Sequence, residues 1–158
     1  MKMTQFVFLI GILLSASPSY GEQSLPTFEQ YKTQAKDQLK GAPKPVDLSS
    51  YKGAKTYRTK LREGAKEGPN FAGHYTIVTY GCGTQCKDNW VIDARTGKII
   101  DRFESSIGSD YQLDSTLLII NAPDRDLQKA YQEYQEQPIM GSLEIIYKVL
   151  KDGKFKIV

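Results

Sequence analysis

Histidine is the scarcest chemistry in this sequence: the 158 residues hold one His, one Trp and two Cys. With one imidazole, serine-triad chemistry would have to run through His74, and no G-x-S-x-G turn accompanies it. Phosphate-cradling glycine loops and calcium-loop patterns are also missing. Charge of one sign is in short supply. The formal net charge is only +3, and the cations are interspersed with Glu and Asp. That excludes the basic footprint of a nucleic-acid or membrane-surface binder.

Long apolar runs are lacking too. The longest, residues 6–14, is far shorter than the roughly 20 residues that span a bilayer. It follows Lys2 and precedes Ser19 and Gly21, small residues flanking Tyr20. This pattern predicts a signal peptide over 1–21, cleaved before Glu22, and hence a periplasmic or secreted protein with no transmembrane segment in the mature chain. No Cys stands near the cleavage position to carry a lipid. Removing residues 1–21 leaves 137, enough for one domain with its own core.

The predicted fold class is α+β, mainly an antiparallel β meander with an N-terminal helix and a helical insertion near 124–136. Phe28, Tyr31, Ala35 and Leu39 recur at helical spacing before Gly41, which predicts a helix over 25–39. Pro43 and Pro45 then favour an extended linker, so residues 22–50 form a helix plus linker and 51–158 a single β-rich domain. In residues 54–70 Tyr57 and Leu61 fit a helix ending near Gly64, although Thr56, Tyr57 and Thr59 also suit a strand. Aromatic and β-branched residues predict strands over 71–80, 89–94, 98–103, 111–113 and 117–121. Leu127, Ala130, Tyr131 and Tyr134 share a helical face, and 142–158 reads as a hairpin around Asp152 and Gly153. The hairpin-like "IDARTGKII" occurs once, so no propeller repeat is present.

"HYTIVTYGCGTQCKDNWVID" (74–93) carries the His and both cysteines. Placing Cys82 opposite Cys86 around a turn at 83–85 makes paired residue numbers sum to a constant. Tyr80 then faces Asp88, Val78 faces Trp90, Thr76 faces Ile92 and His74 faces Ala94. Ile77 and Val91 make the other face apolar as well, so both faces are expected to be covered. Opposed residues in such a ribbon lie about 4.5–5.5 Å apart at Cα, within disulfide range. In an exported chain the two cysteines are most simply one disulfide, Cys82–Cys86.

The same ribbon opposes a Cys–His nucleophile or a Cys–His zinc site. Eight residues of strand separate His74 from Cys82 by ~26 Å, where a base must come within about 3 Å of its nucleophile. A redox pair is disfavoured because three residues separate the cysteines and no helix follows to lower a thiol pKa. Asp88, Asp93, Asp101, Glu104, Asp110 and Asp114 show no spacing that marks an acid–base pair; Asp93 reads as a turn residue. No catalytic residue, cofactor or metal follows from these residues.

"LREGAKEGPNFAGHY", "GCGTQC", "IDARTGKI" and "YQLDSTLLII" resemble segments shared by a family of small, secreted, uncharacterised bacterial proteins. The resemblance covers roughly 57–121 and the closing hairpin. It implies a periplasmic β-rich domain, in which 124–136 is an insertion, and brings no catalytic residues with it.

The favoured expectation is a binding module that recognises another envelope protein or a cell-wall polymer, with no nucleic acid. Inhibitors of envelope hydrolases and immunity proteins share its size and compartment. The candidate surface is Gly83, Thr84 and Gln85, with Tyr80 and Lys87 beside them. The alternative is a periplasmic enzyme, either a thiol–disulfide oxidoreductase or a carboxylate-based hydrolase. A structural envelope component is the third class.

Overall fold

A computed structural model describes residues 25–122 and 144–158. The signal peptide and the helix expected over 124–136 lie outside the described residues. The fold is α+β and mainly antiparallel β. β1 (Tyr75–Gly83), β2 (Cys86–Asp93) and β3 (Ile99–Ser105) form one sheet in that order. β4 (Ser109–Tyr111), β5 (Leu117–Ile120), β6 (Ile146–Lys151) and β7 (Lys154–Ile157) form the other. Among the described residues no helix is long and apolar enough to cross a membrane.

The first sheet is sandwiched because alternate residues of β1 and β2 are apolar on both faces. On one side Tyr75, Ile77, Val91 and Phe103 pack with Leu118, Ile120 and Leu150 of the second sheet. On the other, Val78, Trp90, Ile92 and Ile99 pack with Leu61 and Ala65 of helix α1 (Arg58–Lys66). α1 follows a short 3-10 turn, Ala54–Tyr57, and ends at Lys66, near the stop expected at Gly64, which itself sits inside the helix. The reason is contact: a Cβ at 64 would stand 2.6 Å from Val78 Cγ1, so the glycine is what lets α1 lie close on β1.

The N-terminal helix expected over 25–39 is absent. Two 3-10 turns, Phe28–Tyr31 and Ala35–Asp37, stand in its place, each closed by a side chain. Gln30 accepts the Thr27 N–H at 2.9 Å, and Asp37 accepts the Gln34 N–H at 2.8 Å. A helix would have consumed backbone groups that this segment spends on tertiary contacts. The Tyr31 carbonyl accepts from the Thr116 N–H, and the Leu39 N–H donates to Gly73. Further along, Lys44 donates to Ala94 and Asp47 to Gly97. Residues 25–50 are therefore a strap laid across both sheets, and here long-range pairing overrides helical spacing.

β1 is an edge strand of its sheet. Its first half is covered. Tyr75 exchanges hydrogen bonds with the Phe71 backbone. At Ile77 the Asn70 side chain stands in for a neighbouring strand, donating to the carbonyl at 3.0 Å and accepting the N–H at 2.8 Å. Asn70→Ala leaves both groups of this buried residue without those partners, and a loss of about 2 kcal/mol is expected in urea unfolding. An unchanged midpoint would mean that water replaces the amide fully.

Candidate functional site

The expected register holds from Tyr75↔Asp93 to Gly81↔Lys87. It breaks at the tip, where Gly83 rather than Cys82 pairs with Cys86. The turn is two residues, Thr84 and Gln85, with Gln85 at φ 52°. Cys82 is thus the extra residue of a bulge, not the direct partner of Cys86. The disulfide forms nonetheless, across a Cα–Cα distance of 5.1 Å. Its closed loop is short, so replacing both cysteines with serine is expected to cost only about 2 kcal/mol. The sharper expected readout is local, with faster amide exchange confined to 81–87. Uniform acceleration over the whole sheet would contradict a purely local clip.

Below the tip, the face of β1–β3 turned toward α1 carries an aromatic and charged cluster. Asp88 is 1% exposed, and its carboxylate is fully engaged. Arg102 donates to it twice, from Nε at 2.8 Å and Nη2 at 2.9 Å. The Tyr80 hydroxyl donates a third bond at 2.6 Å and itself accepts from Trp90 Nε1 at 2.9 Å. The Arg102 guanidinium lies 4.8 Å from the Trp90 ring centroid and 5.4 Å from that of Tyr57. Tyr57 stacks on Tyr80, and Lys60 Nζ sits 4.1 Å over the Tyr80 ring. Burial opposes the charged carboxylate, but the bonds from Arg102 and Tyr80 outweigh it and hold Asp88 below the usual carboxylate range. Burial, then Asp88, pushes the Tyr80 phenol far above its ordinary range.

The opposite face is braced by Asn89, which donates to the Lys87 and Phe103 carbonyls and to Ser105 Oγ, and accepts from Thr79 Oγ1. The two networks anchor the hairpin from both sides where it leaves the core. Beyond them Gly81, Gly83, Thr84, Gln85 and Lys87 are exposed. An open cleft of about 360 Å³ lies there, lined by Thr79, Gly81, Gly83, Gln85, Lys87 and Ser106 among others.

The structure therefore places four of the five candidate binding residues together on the exposed tip. Tyr80 lines the same cleft, but it is half-buried and its hydroxyl is committed to Asp88 and Trp90. Arg102 and Tyr57, which hold the base of the tip, escaped the sequence reading. Arg102 pairs with Trp90 across the ladder, so its reach to Asp88 is diagonal and no pairing rule singles it out.

His74 stands just before β1, whereas the cysteines occupy the strand's far end and the next strand's start. Its Nδ1 donates to the Asp37 carbonyl at 2.7 Å, and its Nε2 is 3.9 Å from Asp93 Oδ1. Asp93 accepts from the Arg95 N–H and the Thr96 hydroxyl, the turn role its position suggested. His74 thus ties the strap to the sheet. Among the described residues no three His, Cys, Asp or Glu side chains gather as a metal site would require. Comparisons with protein-family models, with curated proteins and with solved structures find no match.

Proposed function

We propose that this chain is an exported, non-catalytic binding module of the bacterial cell envelope, working in the periplasm or outside the cell. Its tip, Gly83, Thr84, Gln85 and Lys87, meets another envelope protein or a cell-wall polymer. Inhibition of an envelope hydrolase, or an immunity function against one, is the form of binding that suits a small rigid projection entering a cleft. One observation carries the reading: an exposed turn is closed by a disulfide and mounted on a base whose polar side chains bond to one another. A loop held in one conformation before binding avoids the ordering cost of about 0.5–1.5 kcal/mol per immobilised side chain.

The test uses the oxidised protein, immobilised and exposed to an extract of soluble envelope proteins, and in parallel co-sedimented with purified wall polymer. Thr84→Arg places a long charged side chain at the exposed turn. The expected result is one retained protein, or sedimentation with the polymer, that Thr84→Arg weakens by about tenfold or more, equivalent to ~1.4 kcal/mol. Equal retention by both forms in both arms would place the surface elsewhere.

A further inference from the structure

Between the strap and α1 lies a second hollow, about 450 Å³ in volume, which shares no lining residue with the cleft at the tip. Pro43, Pro45, Val46 and Ala65 make its walls apolar. Lys44, Arg62 and Lys66 are the charged residues that line it, and all three are cations. Both walls are pinned. The Lys44 and Asp47 N–H groups tie the strap to the Ala94 and Gly97 carbonyls, and α1 is seated on Val78 at Gly64. Apolar walls with a few placed polar groups are the usual make-up of a small-molecule site, and the volume is in the range of such sites.

The three cations lack counter-charges. Among the described residues Lys44, Arg62 and Lys66 enter no ion pair. Arg58, Arg62 and Lys66 follow one another at intervals of four, so cations are stacked along one face of α1. No carboxylate stands three or four positions from Arg62. Glu63 is three positions before Lys66 and forms no ion pair with it, and neither Glu63 nor Glu67 lines the hollow. On the strap, the Asp47 carboxylate is occupied by the N–H and hydroxyl of Ser49. Like charges gathered around one opening repel each other, and a bound anion relieves them.

We infer that this hollow binds a small organic anion, a carboxylate or phosphate monoester carried on a compact apolar body. The planar Arg62 guanidinium, which matches two oxygens of either group, takes the head. Lys44 from the strap and Lys66 from the next turn of α1 stand with it. The body leaves water for Pro43, Pro45, Val46 and Ala65. A neutral molecule of the same shape forgoes the cations and a bare anion forgoes the walls, so the site selects for the two together. It is separate from the tip and does not depend on the binding-module reading.

The probes are 1-naphthylacetate and 1-naphthyl phosphate, titrated into the oxidised protein while NMR follows the amides of Val46 and Ala65. A Kd on the order of 1 mM is expected for ligands of this size. Saturable shifts with either probe support the inference, and the tighter of the two names the head group. Acetate and the neutral 1-naphthylacetamide are expected to bind at least about tenfold more weakly. Arg62→Gln is expected to weaken binding by about tenfold or more with the unfolding midpoint unchanged, and Lys44→Gln, on the opposite wall, to weaken it less. Thr84→Arg is expected to bind as the unaltered protein does. The inference is overturned if neither aryl anion shifts these amides, or if acetate or 1-naphthylacetamide binds as tightly. Full affinity in both Arg62→Gln and Lys44→Gln overturns it too, as does a loss in Thr84→Arg equal to that in Arg62→Gln.

Discussion

Arg102→Met is expected to lower the unfolding free energy at neutral pH by about 3 kcal/mol, the low end of the range for breaking a buried ion pair because Arg102 itself is part-exposed. The cost comes from what is left behind. Asp88, 1% exposed, would keep its charge and lose two of its three hydrogen bonds. The sign of the pH dependence separates this from simple loss of packing. In the native protein Asp88 titrates below its ordinary range, so its contribution is fully present above about pH 4 and is lost as pH falls through the depressed value. In the variant the depression loses its largest cause, the bonds from Arg102, so the stability that depends on the ionised carboxylate is smaller and less of it is lost in acid. Urea unfolding at pH 7 and near pH 3 is therefore expected to show the gap between the two proteins shrinking in acid. A gap that stays constant would mean the guanidinium acts through its contacts with Trp90 and Tyr57 alone. Adding Asp88→Leu to Arg102→Met is expected to recover part of the loss, since no buried charge remains.

Gly97→Ala is expected to cost a similar amount, about 3 kcal/mol, from a left-handed backbone and a backbone collision together. Gly97 has φ 79°, and a Cβ there would overlap the carbonyl oxygen of Pro45. The collision cannot be relieved by a side-chain rotation. Either the β2–β3 turn or the strap must move, and the Gly97 carbonyl that accepts the Asp47 N–H at 2.8 Å moves with it. The check is urea unfolding together with amide exchange at Lys44 and Asp47. If stability drops while Asp47 stays protected, the turn has yielded rather than the strap. If neither changes, the close approach of Pro45 to the turn does not constrain the fold.

Much of the site was legible because a hairpin is a local object. Register in an antiparallel ribbon follows from one correct pair, and opposing Cys82 and Cys86 located every pair from Tyr75 to Gly81. The same choice misjudged the last step: a two-residue turn at Thr84 and Gln85 needs a bulge to bring the sulfurs together. Apolar residues on both faces of β1 and β2 correctly foretold a covered sheet. What stayed hidden was non-local. Residues 28–39 carry a helical pattern, but their carbonyls and N–H groups are claimed by Gly73, Ser115 and Thr116, which no local window contains. Asp88 and Arg102 meet only because β2 and β3 pair, and even then diagonally. Charge counts and motif scans cannot see a contact of that kind.

The strap also has a consequence in time. Ser115 closes on the carbonyls of Phe28 and Tyr31, separated from them by 87 and 84 positions. Phe28 and Tyr31 therefore find their places late, because their anchor lies more than eighty positions further along the chain. Contacts so distant along the chain form slowly. The strap can dock only once Ser115 and its neighbours are in place, so residues 25–50 join the two sheets after those sheets have begun to form.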